Sequence, residues 1–213
     1  MKKILWLDTE TTGLDATKHG IIQLAMLMDI DGKLVDEISL DIQPFENDMM
    51  SIGFDDISNM PLDFIWFESK QDYSDAKTPT GITFANIAEF MSPDEAYAEI
   101  IIFLNKHIAK FDKTDKAYIG GYNVNFDRDF ISAFFKKIGD KYLGSFLNWK
   151  CLDPMYNLWE MDYKGETSFE NYKLATVAET YGIPLEAHNA MSDIKATREL
   201  WYKLQEANNG THS

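Results

Sequence analysis

The sequence predicts an α/β fold in which a mixed sheet, an antiparallel meander followed by parallel strands, is flanked by helices. Three β-type segments stand in a row near the start, the first capped helical pattern follows them, and helical stretches then alternate with short buried-strand runs. Lys3 to Asp8, Ile21 to Ile30 and Lys33 to Ile42 read as strands, the last two joined at Asp31-Gly32, a dipeptide suited to a tight hairpin. Ser92-Pro93-Asp94-Glu95 supplies an N-cap serine, a proline at the first helical position and a glutamate at the third; Tyr97, Ile100, Ile101, Leu104 and Ile108 follow at helical spacing. Ala117 to Gly120 reads as a short buried strand, and Phe130, Ile131, Phe134, Phe135 and Ile138 as the apolar face of a helix stopped by Gly139. A strand near Trp149 to Leu152 precedes three helical pieces. These are a short one after Pro154, Tyr172 to Tyr181 ended by Gly182, and Ala190 to Gln205 with Met191, Ile194, Thr197, Trp201 and Leu204 facing inward.

The chain of 213 residues suits one domain, expected over residues 1–207 with a flexible polar tail at 208–213. With 45% hydrophobic, 14% aromatic and 26% charged residues it is globular in composition, which excludes disordered, collagen-like and coiled-coil classes. No apolar run approaches the roughly 20 residues of a membrane helix, and the apolar stretch from Ile4 halts at Asp8, short of a secretory segment. A cytoplasmic protein is the expectation. Its single cysteine, Cys151, excludes an internal disulfide and a cysteine-built zinc site. The net charge of -15 opposes broad attraction to nucleic acid, unless divalent cations reverse the sign of a carboxylate pocket. Between Pro44 and Pro79 an acidic, aromatic stretch includes Phe64, Trp66 and Phe67; it is read as an insert at about 45–79, packed on the domain, with Leu62 to Phe67 as an extra strand. Partner or substrate contact is its alternative role.

Three local patterns carry chemistry. Asp8 and Glu10 are two positions apart on the first strand, so both carboxylates project from one face at its carboxyl end and run into Thr11-Thr12-Gly13-Leu14. In Gly120-Gly121-Tyr122-Asn123-Val124-Asn125-Phe126-Asp127 a strand end feeds a helix start, where Asp127 either caps the helix or faces a ligand. In His188-Asn189-Ala190-Met191-Ser192-Asp193 a loop imidazole can reach a water molecule while a carboxylate one turn into a helix is held still. His19, His107 and His212 carry no such pattern.

Taken in order, Asp-x-Glu, an Asp after Asn-x-x-Phe, and His-x-x-x-x-Asp resemble the DEDD family of 3′→5′ exonucleases, in its histidine-bearing branch. The resemblance covers Ile4 to Leu14, Ile21 to Gln43, Thr80-Gly81-Ile82-Thr83 with the helix after it, Gly121 to Ile131, and Tyr172 to Trp201. It implies a ribonuclease-H-like fold, two magnesium or manganese ions on Asp8, Glu10, Asp127 and Asp193, and His188 as general base. It also implies contacts to the terminal nucleotide from Thr11, Thr12, Gly13 and Leu14, support from Asn123, and Lys173 near the strand terminus. The expected partner is the 3′ end of single-stranded DNA or RNA, with a polymerase or replication partner docked through the insert and a monomer or homodimer as the assembly. Tyr122 stands where many relatives carry histidine, and Gln23 replaces a frequent glutamate. Lys136, Lys137 and Lys141 would line a nucleic-acid track or else form a solvated face. Two other readings compete with the exonuclease one. Glu10 in place of a second aspartate argues against the aspartate-nucleophile phosphatases of the haloacid dehalogenase type; a replication-complex module with an idle nuclease pocket would leave five intact chemical positions without a task.

Overall fold

The computed structural model describes residues 1–51, 63–65, 82–186 and 188–210. Strand β1 (Lys3–Thr11) lies at the centre of a five-stranded sheet of order β3-β2-β1-β6-β7. It pairs antiparallel with β2 (Ile21–Ile30), which pairs antiparallel with β3 (Lys33–Asp41). On its other side β1 runs parallel to β6 (Ala117–Gly120), and β6 runs parallel to β7 (Leu147–Leu152), the edge strand. This is the predicted meander followed by parallel strands. The β2–β3 turn has positive φ at both Asp31 (50°) and Gly32 (82°), the backbone a two-residue hairpin requires. A separate small ribbon pairs β4 (Met49–Ser51) with β5 (Asp63–Ile65), inside the segment expected to carry an extra strand; residues 52–62 and 66–79 of that insert lie outside the described residues.

Helix α1 (Phe84–Ala88) is short and capped by Thr83. Helix α2 (Pro93–His107) starts with the complete capping box, Ser92 and Glu95 bonding each other's backbone. Helix α3 (Val124–Ile138) ends at Gly139, whose φ of 93° is left-handed. A 3-10 turn at Leu143–Ser145 precedes β7. Then come α4 (Pro154–Tyr163), α5 (Leu174–Thr180) and α6 (Ala190–Gly210). The last helix runs three residues into the predicted tail, because no helix breaker stands between Ala190 and Gly210.

The period of two sorts β1 between two cores. Leu5 and Leu7 join Leu24, Met26 and Met28 against the apolar stripes of α2 and α3, including Ile100, Leu104, Phe130 and Phe134. Trp6 points the other way, with Ala25 and Leu27, onto Ala190 and Ile194 of α6. Gly120 on β6 must lack a side chain because a Cβ there would sit 2.3 Å from the Trp6 ring. Helix α6 is fixed to this face by a buried polar network. The fully buried Asp29 carboxylate accepts from Trp6 Nε1 (3.1 Å), Arg198 Nε (2.8 Å) and Tyr202 Oη (2.7 Å). Asp29→Ala is expected to lower unfolding stability by about 3 kcal/mol, since three donors lose their acceptor. Urea titration reads this out, and a change below about 1 kcal/mol would remove Asp29 as the anchor of α6.

Candidate active site

Asp8 and Glu10 continue the Trp6 face of β1, the face that α6 covers, so strand alternation aims both carboxylates at the first turn of α6, where Asp193 stands. Asp8, Glu10 and Asp193 each place a carboxylate oxygen within 4.8 Å of the others. Among the described residues this is the group able to hold a metal ion. Asp127 arrives from the opposite face. It lies on the fourth residue of α3, is 3% exposed, and reaches round the strand end to accept from Thr9 N–H (2.9 Å) and Thr9 Oγ1 (2.7 Å). It therefore does not cap its helix, and it stands apart from the close trio while remaining a charged neighbour of Asp8. Helices from both faces thus converge at the carboxyl end of β1, the position where open α/β sheets gather ligands.

His188 is exposed on the loop before α6, in a left-handed conformation (φ 64°) that lets its backbone N–H donate to the Asp193 carboxylate. Its imidazole is close enough to interact electrostatically with that carboxylate. Sequence spacing separates His188 and Asp193 by five positions; the structure makes them one unit.

Crowding of like charges sets the electrostatics. Burial, followed by the charges of Asp127, Asp193 and Glu10, pushes the Asp8 carboxyl well above its ordinary range. Burial and Asp193 push Glu10 up to about 7. Burial takes Asp127 to about 7 despite the Thr9 bonds, and Asp193 to about 6 despite His188. The donor set is all carboxylate oxygen, and Asp193 Oδ1 is buried with no hydrogen-bond partner. An acidic cluster with an unpartnered oxygen fits a hard divalent cation.

A stability prediction follows with a definite sign. Folded pKa values above the unfolded ones mean that the metal-free native state binds more protons than the unfolded chain between about pH 4 and pH 7, so its stability falls as pH rises through that window. In chelator the thermal midpoint should be lower at about pH 8 than at about pH 5.5, and magnesium should raise it more at the higher pH. A midpoint that climbs over this interval in chelator would contradict the clustering.

The expected substrate contacts divide. Leu14, 87% exposed, stands at the rim of a cleft of about 500 Å³ that Phe126, Phe130 and Lys136 also line. Thr12 is fully buried, donates to Met49 O (2.6 Å) and accepts from Gly20 N–H (2.9 Å), so its side chain holds the loop and does not face a ligand. Thr11 Oγ1 likewise donates to Gly13 O (2.8 Å), and a Cβ on Gly13 would collide with the His19 ring at 2.3 Å. Asn123 is exposed and left-handed (φ 57°) at the head of α3, and Lys173 is exposed at the head of α5. Tyr122 donates to Tyr172 O (2.6 Å), tying these two loops together. Gln23 sits directly across from Glu10 and bonds Asp41 (2.9 Å). Lys137 pairs with Asp48 and donates to His19 O (2.9 Å), which removes it from any track.

Two supporting residues were not singled out from sequence. Thr9 holds Asp127. Asp153 caps two helices at once, accepting from Met155 N–H (2.9 Å) of its own helix and Val124 N–H (3.1 Å) at the start of α3. The Asp153-Pro154 pair is a visible cap signal for α4; its second partner, 29 positions earlier, is not.

The fold is that of ribonuclease-H-like exonucleases, and the carboxylates it gathers are those through which the sequence resembles the DEDD family. Its relatives are specific. The chain is 26% identical over 201 residues to a DNA polymerase III PolC-type protein of Thermotoga petrophila, covering 94% of this chain and 12% of the polymerase. It is 24% identical over 169 residues to a probable oligoribonuclease of Caenorhabditis elegans, covering 76% of this chain and 75% of that protein. Among solved structures, E. coli exonuclease I in complex with a 5cy-dA13 oligonucleotide superposes with a TM-score of 0.64 at 16% identity, over 97% of this chain and 41% of the other. An exonuclease I from Methylocaldum szegediense gives 0.67 at 16% identity, over 97% and 41%. No protein-family model matches the chain. Among the described residues no helix is long and apolar enough to cross a membrane.

Proposed function

We propose that the protein is a 3′→5′ exonuclease that hydrolyses phosphodiester bonds at the 3′ end of single-stranded nucleic acid, DNA in first place, releasing nucleoside 5′-monophosphates. The observation that carries this is the trio of carboxylates at the end of β1, with its unpartnered Asp193 oxygen and an exposed histidine beside it. Asp8, Glu10 and Asp193, with Asp127 alongside, would hold two magnesium or manganese ions. When bound, these supply an activated water and relieve charge on the phosphoryl group and the departing 3′ oxygen.

The chain's own groups do the rest. His188 accepts the proton of the attacking water from its loop position, and Asp193 orients the loop through the His188 backbone N–H. Thr9 fixes Asp127 so that its charge is set before substrate arrives. Leu14 and the backbone of Thr11, Thr12 and Gly13 hold the terminal nucleotide, with Asn123 and Lys173 on the two facing loops. The naming of one relative as an oligoribonuclease keeps RNA as the second substrate. A polymerase or replication partner for residues 45–79 is supported by that stretch's aromatic and acidic composition and by the PolC-type relatives.

The test is degradation of matched single-stranded and duplex DNA and RNA carrying 3′ or 5′ labels. Expected are magnesium-dependent release of mononucleotides and, with the 5′ label, a ladder that shortens stepwise. Absence of mononucleotide from every substrate with both magnesium and manganese would leave the idle-module reading in its place.

A further inference from the structure

We propose that the flank formed by edge strand β7 and the elements beside it is a track for the part of a single strand lying 5′ of the scissile bond. This rests on the single-strand nuclease reading and adds to it a contact surface remote from the carboxylates.

The first observation is where exposed rings fall. Among the described residues the exposed large aromatics are Phe111, Tyr142, Trp149, Tyr156, Trp159 and Tyr163. All of them lie on β7 or on segments that directly precede β6 and β7 or follow β7 in the chain. Phe111 and Tyr142 precede β6 and β7, Trp149 is on β7, and the others are on α4, which follows β7 directly. Single exposed apolar residues are ordinary, whereas the gathering of every exposed large aromatic among the described residues around β6 and β7 marks a contact surface. One end of the row abuts the catalytic end of the sheet, where Asn125 of α3 donates to Tyr156 Oη (2.9 Å).

The other end opens into a cleft of about 360 Å³ between residues 111–116 and 141–145. Phe111 and Tyr142 meet edge to face at 5.4 Å, and the Lys110 ammonium lies 5.5 and 5.9 Å from their centroids. Phe111 has φ 70°, a strained conformation for a bulky residue, which holds here with its ring exposed. Ser145 lines the cleft, is only 8% exposed, and its hydroxyl has no hydrogen-bond partner. Buried hydroxyls are nearly always bonded, so this one marks a place for a ligand oxygen or nitrogen. Lys113 and Lys141 are exposed at the cleft and pair with no carboxylate among the described residues. Lys116 donates to Gly144 O, and Lys150 extends the positive charge along β7. The acidic groups nearby are largely engaged: Asp115 with Lys3, Asp129 with Arg128, Glu160 with Lys164, and Asp140 with Tyr97 and Lys110.

On a chain of net charge -15, free lysines beside a row of ring faces are complementary to one kind of occupant. Aromatic faces stack any base and ammonium groups neutralise phosphates, which is how sequence-independent single-strand binding works. An acidic peptide would use the lysines but not a line of rings, and an apolar protein surface would not favour the lysines. Lys3 of β1 is level with Ala117 of β6, so Glu10 lies about 23 Å further along the strand direction. A short oligonucleotide held at the carboxylates does not reach the lysine end; a long one does.

The test compares deoxythymidine strands of about 4 and about 16 nucleotides by fluorescence anisotropy in chelator, using the parent, Trp149→Ala and the double variant Lys113→Ala/Lys141→Ala. Each variant should weaken the long strand about tenfold and leave the short one at the parent value. The slope of log affinity against log salt should become shallower by about 1.4 in the lysine variant, roughly 0.7 for each lost phosphate contact. Short-strand turnover with magnesium should match the parent. Unchanged long-strand affinity and slope would overturn the proposal, as would equal weakening of both lengths. Saturable binding of a glutamate-rich peptide that the lysine variant loses, with long-strand affinity intact, would assign the flank to a protein partner instead. A parent that releases no mononucleotide from the short strand would defeat the nuclease reading separately, because the flank is read by binding alone.

Discussion

Asp8→Asn protein should release mononucleotides on the order of 10³-fold more slowly than the parent, or not at all, while melting at a higher temperature once both are stripped of divalent ions. Both effects have one origin. Desolvation at its half-buried position, then the charges of Asp127, Asp193 and Glu10, push the Asp8 carboxyl far up. A neutral amide of the same shape removes that repulsion from the metal-free fold, and each 1 kcal/mol regained raises the midpoint by about 2–4 °C in a domain of this size. The same change would remove one of the three carboxylates able to hold a metal ion. Activity assays in magnesium and melting curves in chelator should therefore move in opposite directions. Retention of a tenth of the parent rate would detach Asp8 from the chemistry, and a lowered metal-free midpoint would show that its carboxylate stabilises the fold.

His188→Asn should lower kcat by about 10² to 10⁴, the usual contribution of a positioned general base, with little change in thermal midpoint. The histidine is exposed, so no core depends on it. Asparagine suits the test because it tolerates the left-handed backbone that His188 adopts and keeps the N–H that Asp193 accepts, while lacking a group that takes a proton near neutrality. A rate within about threefold of the parent would assign the proton transfer elsewhere. A large drop in the midpoint would instead make His188 a structural residue of the loop.

Much of this arrangement is legible before any coordinates. Alternation along β1 places Asp8 and Glu10 on one face, the Asp31-Gly32 turn sets the hairpin, and Ser92 to Glu95 mark where a helix begins. These signals are local, each decided within a few residues of itself. The long-range ones are not. Nothing near Asp127 says that its carboxylate turns from its own helix to Thr9, because that choice depends on the packing of α3 against the sheet. The family resemblance makes Thr12 a ligand contact, yet its hydroxyl closes the turn onto Met49 and Gly20. Lys137 reads as a free surface cation, yet Asp48, 89 positions earlier, occupies it. The exposed rings are invisible for the same reason: Phe111 and Tyr142, 31 positions apart, meet only when the segments before β6 and β7 are brought together.

Asp8 and Asp193 stand near opposite ends of the order of synthesis. During translation the first carboxylates leave the ribosome long before the helix that completes the trio. A nascent chain holding Asp8, Glu10 and even Asp127 lacks the third close carboxylate until α6 has emerged and docked on Trp6. The carboxylate trio is then completed only when α6 docks, so a chain cut short before Ala190 lacks it however well β1 is formed.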